Sequence, residues 1–320
     1  MSVAVCLLLY GAVVCVVAPR LLPYLTRGGS APGAAVAVWL IVVATVLASW
    51  AAAAAALAVH VARTWNRPDP LALAACLAQV RSAVAGHNGL AMQAGLLVPA
   101  LVLSAFVVVL AARVGRSLVS ARARSRRHAE SARIVGRRVA GVDGLVVDAP
   151  QKMAYCLGGR PGTVVITSAA VAALQRPHLN AVLAHERAHL AGRHHLLLTA
   201  TRALAASLPR MRLFTIAHAE VARLLEMCAD DTAARRHGTA ALLSAILTLA
   251  GANPIPATAL GATSVGVSAR VSRLTDPDTA ARRLGARVLL AAFSGVIVAA
   301  PLLAVWASTS GFPACGPFTA

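Results

Sequence analysis

The apolar positions of this chain run in long blocks. Val3 to Ala18, Ala34 to Val61, Gly95 to Ala112 and Val288 to Ala307 are almost free of charge. Each predicts a helix able to cross a bilayer, the first being short but extendable a little at either end. Six consecutive alanines, 51–56, lie in the second block. Polyalanine is only weakly hydrophobic, but it lets neighbouring helices approach closely. Residues 70 to 84 predict a short amphipathic helix on the outer surface, and 113 to 140 a basic helix that extends the third span. From Val142 the pattern changes. Leu145-Val146-Val147 and Val164-Val165-Ile166, set off by Gly, Pro and Asp, predict two short strands of a small sheet. An edge strand there could accept an extended peptide through main-chain hydrogen bonds. Asn180 to Leu190 predicts the start of a helix, entered through Pro177. His195 to Leu208 is apolar but too short to span. His218 to Arg236, closed by Gly238, predicts a long helix and Thr239 to Ala250 another. Pro254 to Asp278, with scattered Ser, Thr, Gly and Pro, predicts a loop-rich stretch.

Composition supports the membrane reading. The chain is 58% hydrophobic and 13% charged, with a mean hydropathy of +0.73, a balance foreign to soluble domains. The first block lacks the positive leading segment and the A-x-A site of a signal peptide, so it reads as a retained helix.

Charge then suggests an orientation. Of 30 Lys and Arg residues, 25 lie between Arg113 and Arg287, and Arg20 and Arg27 lie between the first two blocks. The positive-inside rule puts both regions in the cytosol, although Arg63, Arg67 and Arg81 in the outer loop count against it. The N-terminus, the 63–92 loop and the 308–320 tail then face outward. A formal charge of +19 invites a nucleic-acid role, but Phe, Trp and Tyr make up only 4% and do not interleave with the arginines. Arg113, Arg116, Arg122, Arg124, Arg126 and Arg127 instead flank a span, where anionic lipid head groups are their partners. The 29 Arg to 1 Lys ratio has the look of a high-GC bacterial genome. Cys156 and Cys228 fall in the reducing cytosol. Cys76 and Cys315 fall outside, as a disulfide or as two free thiols.

The chemistry concentrates in His185-Glu186-Arg187-Ala188-His189. Four residues on a helix return to the same face, so the two imidazoles can share one Zn²⁺, with Glu186 beside them to take a proton from the attacking water. A peptidase site needs a third protein ligand. On the 218–236 helix, Glu226 and Asp230 share a face. Glu226 can be that ligand, and Asp230 can accept the outward N–H of a ligand histidine. The alternative pairs Glu226 with Arg223 on a solvated face. Cys228 falls on the opposite side of that helix. The other histidines have no partner spacing, and His194 and His195 read as surface residues. Tyr155 is a candidate for stabilising an oxyanion.

H-E-R-A-H followed by E-x-x-A-D resembles the gluzincin pattern of membrane-embedded peptidases. Tyr155 to Gly162 followed by Thr163 to Thr167 adds a further likeness, and together they resemble the BlaR/MecR-type integral membrane metallopeptidase family over roughly residues 140 to 240. The resemblance implies that His185, His189 and Glu226 hold one zinc per chain, that Glu186 is catalytic, and that the substrate is a cytosolic winged-helix repressor of the BlaI/MecI kind. BlaR-type sensors carry a penicillin-binding domain with an S-x-x-K nucleophile. The sole lysine here is Lys152, and Ala149 stands three residues before it, so acylation by that route is excluded. The chain resembles the protease half of such a sensor.

The expected fold is therefore a mainly α membrane protein with four transmembrane helices and a cytosolic α+β gluzincin-like zinc peptidase domain between the third and fourth. Its expected parts are a membrane region 1–112 (spans near 3–18, 34–61 and 95–112), a basic juxtamembrane helix 113–140, a peptidase domain 141–287, a fourth span 288–307 and an outer tail 308–320. The expected location is the inner (plasma) membrane, with membrane lipids and a protein substrate as partners and no direct nucleic acid. Two alternatives stand beside repressor cleavage: an HtpX- or CAAX-type processing or quality-control protease, and a non-catalytic membrane regulator that binds a partner. The activating signal and the oligomeric state are not written in the sequence.

Overall fold

The computed structural model describes residues 2–65, 89–159, 162–250 and 263–309. The expected 70–84 helix, Cys76 and Cys315 lie outside them. Three long helices come first: α1 (Ser2–Thr26), α2 (Pro32–Trp65) and α3 (Gly89–Val135). A small sheet follows, with β1 (Arg137–Arg138), β2 (Leu145–Val147), β3 (Ala154–Leu157) and β4 (Thr163–Thr167). The remaining helices are α4 (Ser168–Ala173), α5 (Arg176–Ala191), α6 (His194–Ser207), α7 (Arg212–His237), α8 (Thr239–Ala250), α9 (Thr263–Thr275) and α10 (Ala280–Thr309). Four helices, α1, α2, α3 and α10, contain segments long and apolar enough to cross a membrane.

Two compact units emerge. The first comprises residues 1–18, 41–112 and 293–320. Its described part is helical and close-packed: Ala4, Leu7 and Ala53 are buried together, with Leu103 and Val305 against them. Ala53 belongs to the alanine run, whose small side chains allow that approach. The Tyr10 hydroxyl donates to the Ile297 carbonyl at 2.7 Å, and Trp50 meets Phe106 edge to face at 5.7 Å. Val98, Leu101, Val102 and Val108 of α3 are exposed, as a face toward lipid requires.

The second unit comprises residues 19–40 and 113–292. Its sheet has the order β1-β2-β4-β3. β4 runs parallel to β2 and antiparallel to β3. Alternation along β4 sends its side chains into two layers. Val164 and Ile166 join Leu179, Val182 and Leu183 of α5. Val165 packs with Ala129 and Ala132 of α3 and with Leu157. Helix α3 thus covers one face of the sheet and α5 the other.

Two expectations differ from the structure. The basic helix ends at Val135, and Arg137–Arg138 instead form the edge strand β1, paired antiparallel to β2. Gly136, between them, has no room for a Cβ against the Ala132 carbonyl. The stretch expected to be loop-rich contains α9. Its Ser and Thr residues obscure an apolar stripe, in which Leu274 is buried with Ala233 and Leu242 while Val267 and Val271 pack alongside.

Candidate metal centre

Helices α5 and α7 build the site. They meet through small residues: Ala181 and Ala184 of α5 and Ala233 of α7 lie in one buried cluster. Side chains without bulk let the helices come close enough for longer neighbours to touch. His185 and His189, one turn apart on α5, therefore reach Glu226 of α7. The Nε2 atoms of the two histidines are 3.1 Å apart. Glu226 Oε2 lies 3.5 Å from His185 Nε2, and Oε1 lies 3.4 Å from His189 Nε2. One potential ligand atom from each of the three residues falls within 4.8 Å of the others. Two imidazoles and one carboxylate, converging from two helices, are a donor set that fits zinc. Glu226 does not pair with Arg223. Arg223 instead holds Glu220 at 2.8 Å and the Thr26 carbonyl at 2.9 Å.

Each histidine is also held from behind. His185 Nδ1 is 3.1 Å from Asp230 Oδ1, and the Asp230 side chain is fully buried. His189 Nδ1 is 2.8 Å from His194 Nδ1. Once its Nε2 serves as a metal ligand, His189 carries its proton on Nδ1, where His194 can accept it. His194 is buried, not the surface residue that its sequence position implied. The turn between α5 and α6 explains this. Gly192 ends α5, and Arg193 adopts a left-handed backbone, φ 50°. The chain reverses within two residues and lays His194 across His189. Gly192 leaves the room, since a Cβ there would strike the His194 ring.

A second residue was not legible in the sequence. Arg270 of α9 gives Asp230 a two-pronged hydrogen bond, Nε to Oδ2 and Nη2 to Oδ1, both 2.7 Å. Its Nη1 lies 3.1 Å from Glu226 Oε2. The guanidinium balances the carboxylates around the cluster. No spacing rule links position 270 to 226 or 230; the contact exists only because α9 folds onto α7.

Electrostatics in the metal-free site follow from burial and these contacts. Burial pushes the Glu186 carboxyl up to about 7, against the opposing charge of His185. Such a group is poised to exchange a proton near neutrality. Burial alone would depress His185, but the Asp230 and Glu226 carboxylates beside its two ring nitrogens overcome it and hold the ring at about 9. Burial dominates at His189, which falls to about 4. Burial would raise Glu226, yet the hydrogen bond from His185 and the charge of Arg270 bring it down to about 2. Cys156 of β3 lies beside Glu186: burial of the thiol, and then the Glu186 charge, raise it to about 12. The Tyr155 hydroxyl is 3.3 Å from His128 Nε2.

Comparison with known proteins bears on this region. No curated protein and no solved structure matches the chain. Residues 122–251, however, match the family model of Peptidase family M48. Peptidases of that family are typically zinc-dependent, and the match includes the cluster of His185, His189 and Glu226. From the basic end of α3 through α8, this chain is similar to Peptidase family M48.

Proposed function

We propose that the protein is a membrane-bound zinc endopeptidase. The observation that carries the reading is the convergence of His185, His189 and Glu226 with the half-buried Glu186 beside them. His185, His189 and Glu226 would hold the zinc, whose contribution is Lewis acidity toward the scissile carbonyl and the attacking water. Glu186 takes the proton of that water and returns it to the leaving amine. Asp230 and His194 keep the two ligand rings oriented, and Arg270 holds Asp230 and Glu226 in place. Strand β3 has one strand neighbour among the described residues and passes Glu186 at Cys156. An extended substrate segment adding to that edge would bring a peptide bond to Glu186.

By charge distribution the peptidase domain faces the cytosol. The resemblance over residues 140–240 makes a winged-helix repressor the first substrate class to test. A second reading is processing or quality control of membrane proteins in the HtpX or CAAX manner. It is favoured by the M48 match over residues 122–251, which contains His185, Glu186, His189 and Glu226. The test is to purify the zinc-loaded protein in detergent and compare wild type with Glu186→Gln on a repressor panel and on labelled membrane proteins. Cleavage of one class by wild type alone assigns the substrate. Equal cleavage by both enzymes would remove Glu186 from the chemistry.

A further inference from the structure

A polar cavity of about 500 Å³ lies within the unit that holds the metal cluster, and its lining includes none of His185, Glu186, His189 and Glu226. It is formed by the start of α2, the C-terminal half of α7, the end of α9 and the start of α10. Arg235, Arg273, Arg283 and Arg287 line it, against only two carboxylates, Asp231 and Asp278. Both carboxylates are already engaged. Arg273 holds Asp231 through Nη2, at 2.7 and 2.8 Å from its two oxygens. Asp278 accepts from Arg282 at 3.2 Å. Among the described residues, Arg235, Arg283 and Arg287 make no ion pair, and Arg235 Nη2 donates to the Thr232 hydroxyl at 3.2 Å. Four guanidinium groups against two carboxylates, one of which, Asp278, also feels the charge of Arg283, leave a net positive potential in the recess. Planar, multi-donor guanidinium groups match phosphate oxygens best. Gly33 and Ala34 also line the cavity. They lie in the first turn of α2, where backbone N–H groups lack acceptors within the helix.

We propose that this cavity is a binding site for a phosphate-bearing anion. Two sources offer that chemistry, a phospholipid head group and a soluble phosphate. The sequence places Arg283 and Arg287 just ahead of the apolar run that opens at Val288, and Pro32 begins the candidate span of α2. An anionic leaflet presents phosphates at such boundaries.

The experiment uses the full chain in detergent, as wild type, as Arg283→Gln/Arg287→Gln, and as the control Arg210→Gln/Arg212→Gln, which removes the same charge from exposed positions outside the cavity. One arm titrates phosphatidylglycerol against phosphatidylcholine and counts bound lipid by native mass spectrometry; the other titrates inorganic phosphate by calorimetry. The expected result is saturable binding of one anion per chain, weakened about tenfold or more in the Arg283/Arg287 variant and unchanged in the control. Saturation with phosphatidylglycerol alone assigns a lipid head group, and saturation with phosphate assigns a soluble anion. Absence of saturable binding in both arms, or equal weakening by the control, overturns the proposal. Arg283→Lys/Arg287→Lys keeps the charge while losing the planar fork. It decides the question if the glutamine variant unfolds: binding as tight as wild type in both the lysine variant and the control shows that the fork is not used and also overturns the site.

Discussion

Arg270 closes on Asp230 with two 2.7 Å hydrogen bonds although the two residues are 40 positions apart. The same guanidinium reaches Glu226. One cation therefore fixes both the group that orients His185 and the third residue of the cluster. Replacing Arg270 with Ala would leave the fully buried Asp230 carboxylate facing only His185. We expect a loss of about 3–5 kcal/mol, the range for breaking one side of a buried pair. Glu226 adds little to that figure, because its side chain is partly exposed. Arg270→Lys would recover only part of it, since an ammonium cannot make the two-pronged contact. Thermal unfolding of both variants in detergent checks this, and an alanine variant as stable as wild type would refute it.

His194 offers a cleaner test of metal binding. His194→Ala removes the acceptor for the outward N–H of His189. Partners behind metal ligands typically contribute about 10–100-fold in affinity. Competition with a zinc chelator should show a weakening of that order, with helix content unchanged. Gly192→Ala should weaken zinc binding in the same direction, because its Cβ would displace the His194 ring.

Zinc uptake should release a proton. His185 sits at about 9 in the metal-free protein, so its ring is charged at pH 7.5, whereas His189, at about 4, is already neutral. Zinc needs an unprotonated ring nitrogen, so about one proton must leave on binding. The sign follows: affinity falls as pH drops below about 9, by roughly tenfold per pH unit until a second group protonates. Calorimetry in buffers of different ionisation enthalpy measures the proton directly. Uptake without proton release would show that His185 is neutral before the metal arrives.

The Cys156 thiol, raised to about 12 by burial and the nearby Glu186 charge, should resist alkylation. At pH 8 about one molecule in ten thousand carries the reactive thiolate. Iodoacetamide labelling followed by peptide mapping should find Cys156 modified far more slowly than a free cysteine. Rapid labelling would place the thiol in a different environment.

The legible part of this protein was the part written in short-range spacing. His185 and His189 share a face because helices repeat every 3.6 residues, and Glu226 and Asp230 share one for the same reason. The apolar blocks announced the long helices, and the valine runs announced β2 and β4. Strand β3 was harder to read because Ala154 to Leu157 has neither β-branched residues nor clean alternation; antiparallel pairing with β4 makes it a strand. His194 was missed because its role depends on a tight turn with Arg193 in a left-handed conformation, which local sequence does not announce. Arg270 was missed because Ser and Thr gave its segment the look of a loop, and because its partners sit on another helix. Side chains that meet only after helices pack leave no local pattern.

The M48 match stops at residue 251, yet Arg270 lies beyond it on α9, whose end is joined to α10 by residues 276–279. The cluster's charge balance is therefore not contained within the matched segment. A fragment ending at the family boundary would keep Asp230 and Glu226 but lose their cation. Its hydrogen-bond balance is completed by the stretch that leads into the last apolar helix. A fragment cut after residue 279 would shed the last helix and still hold Arg270, so the smallest unit with a balanced cluster ends beyond α9 rather than at the family boundary.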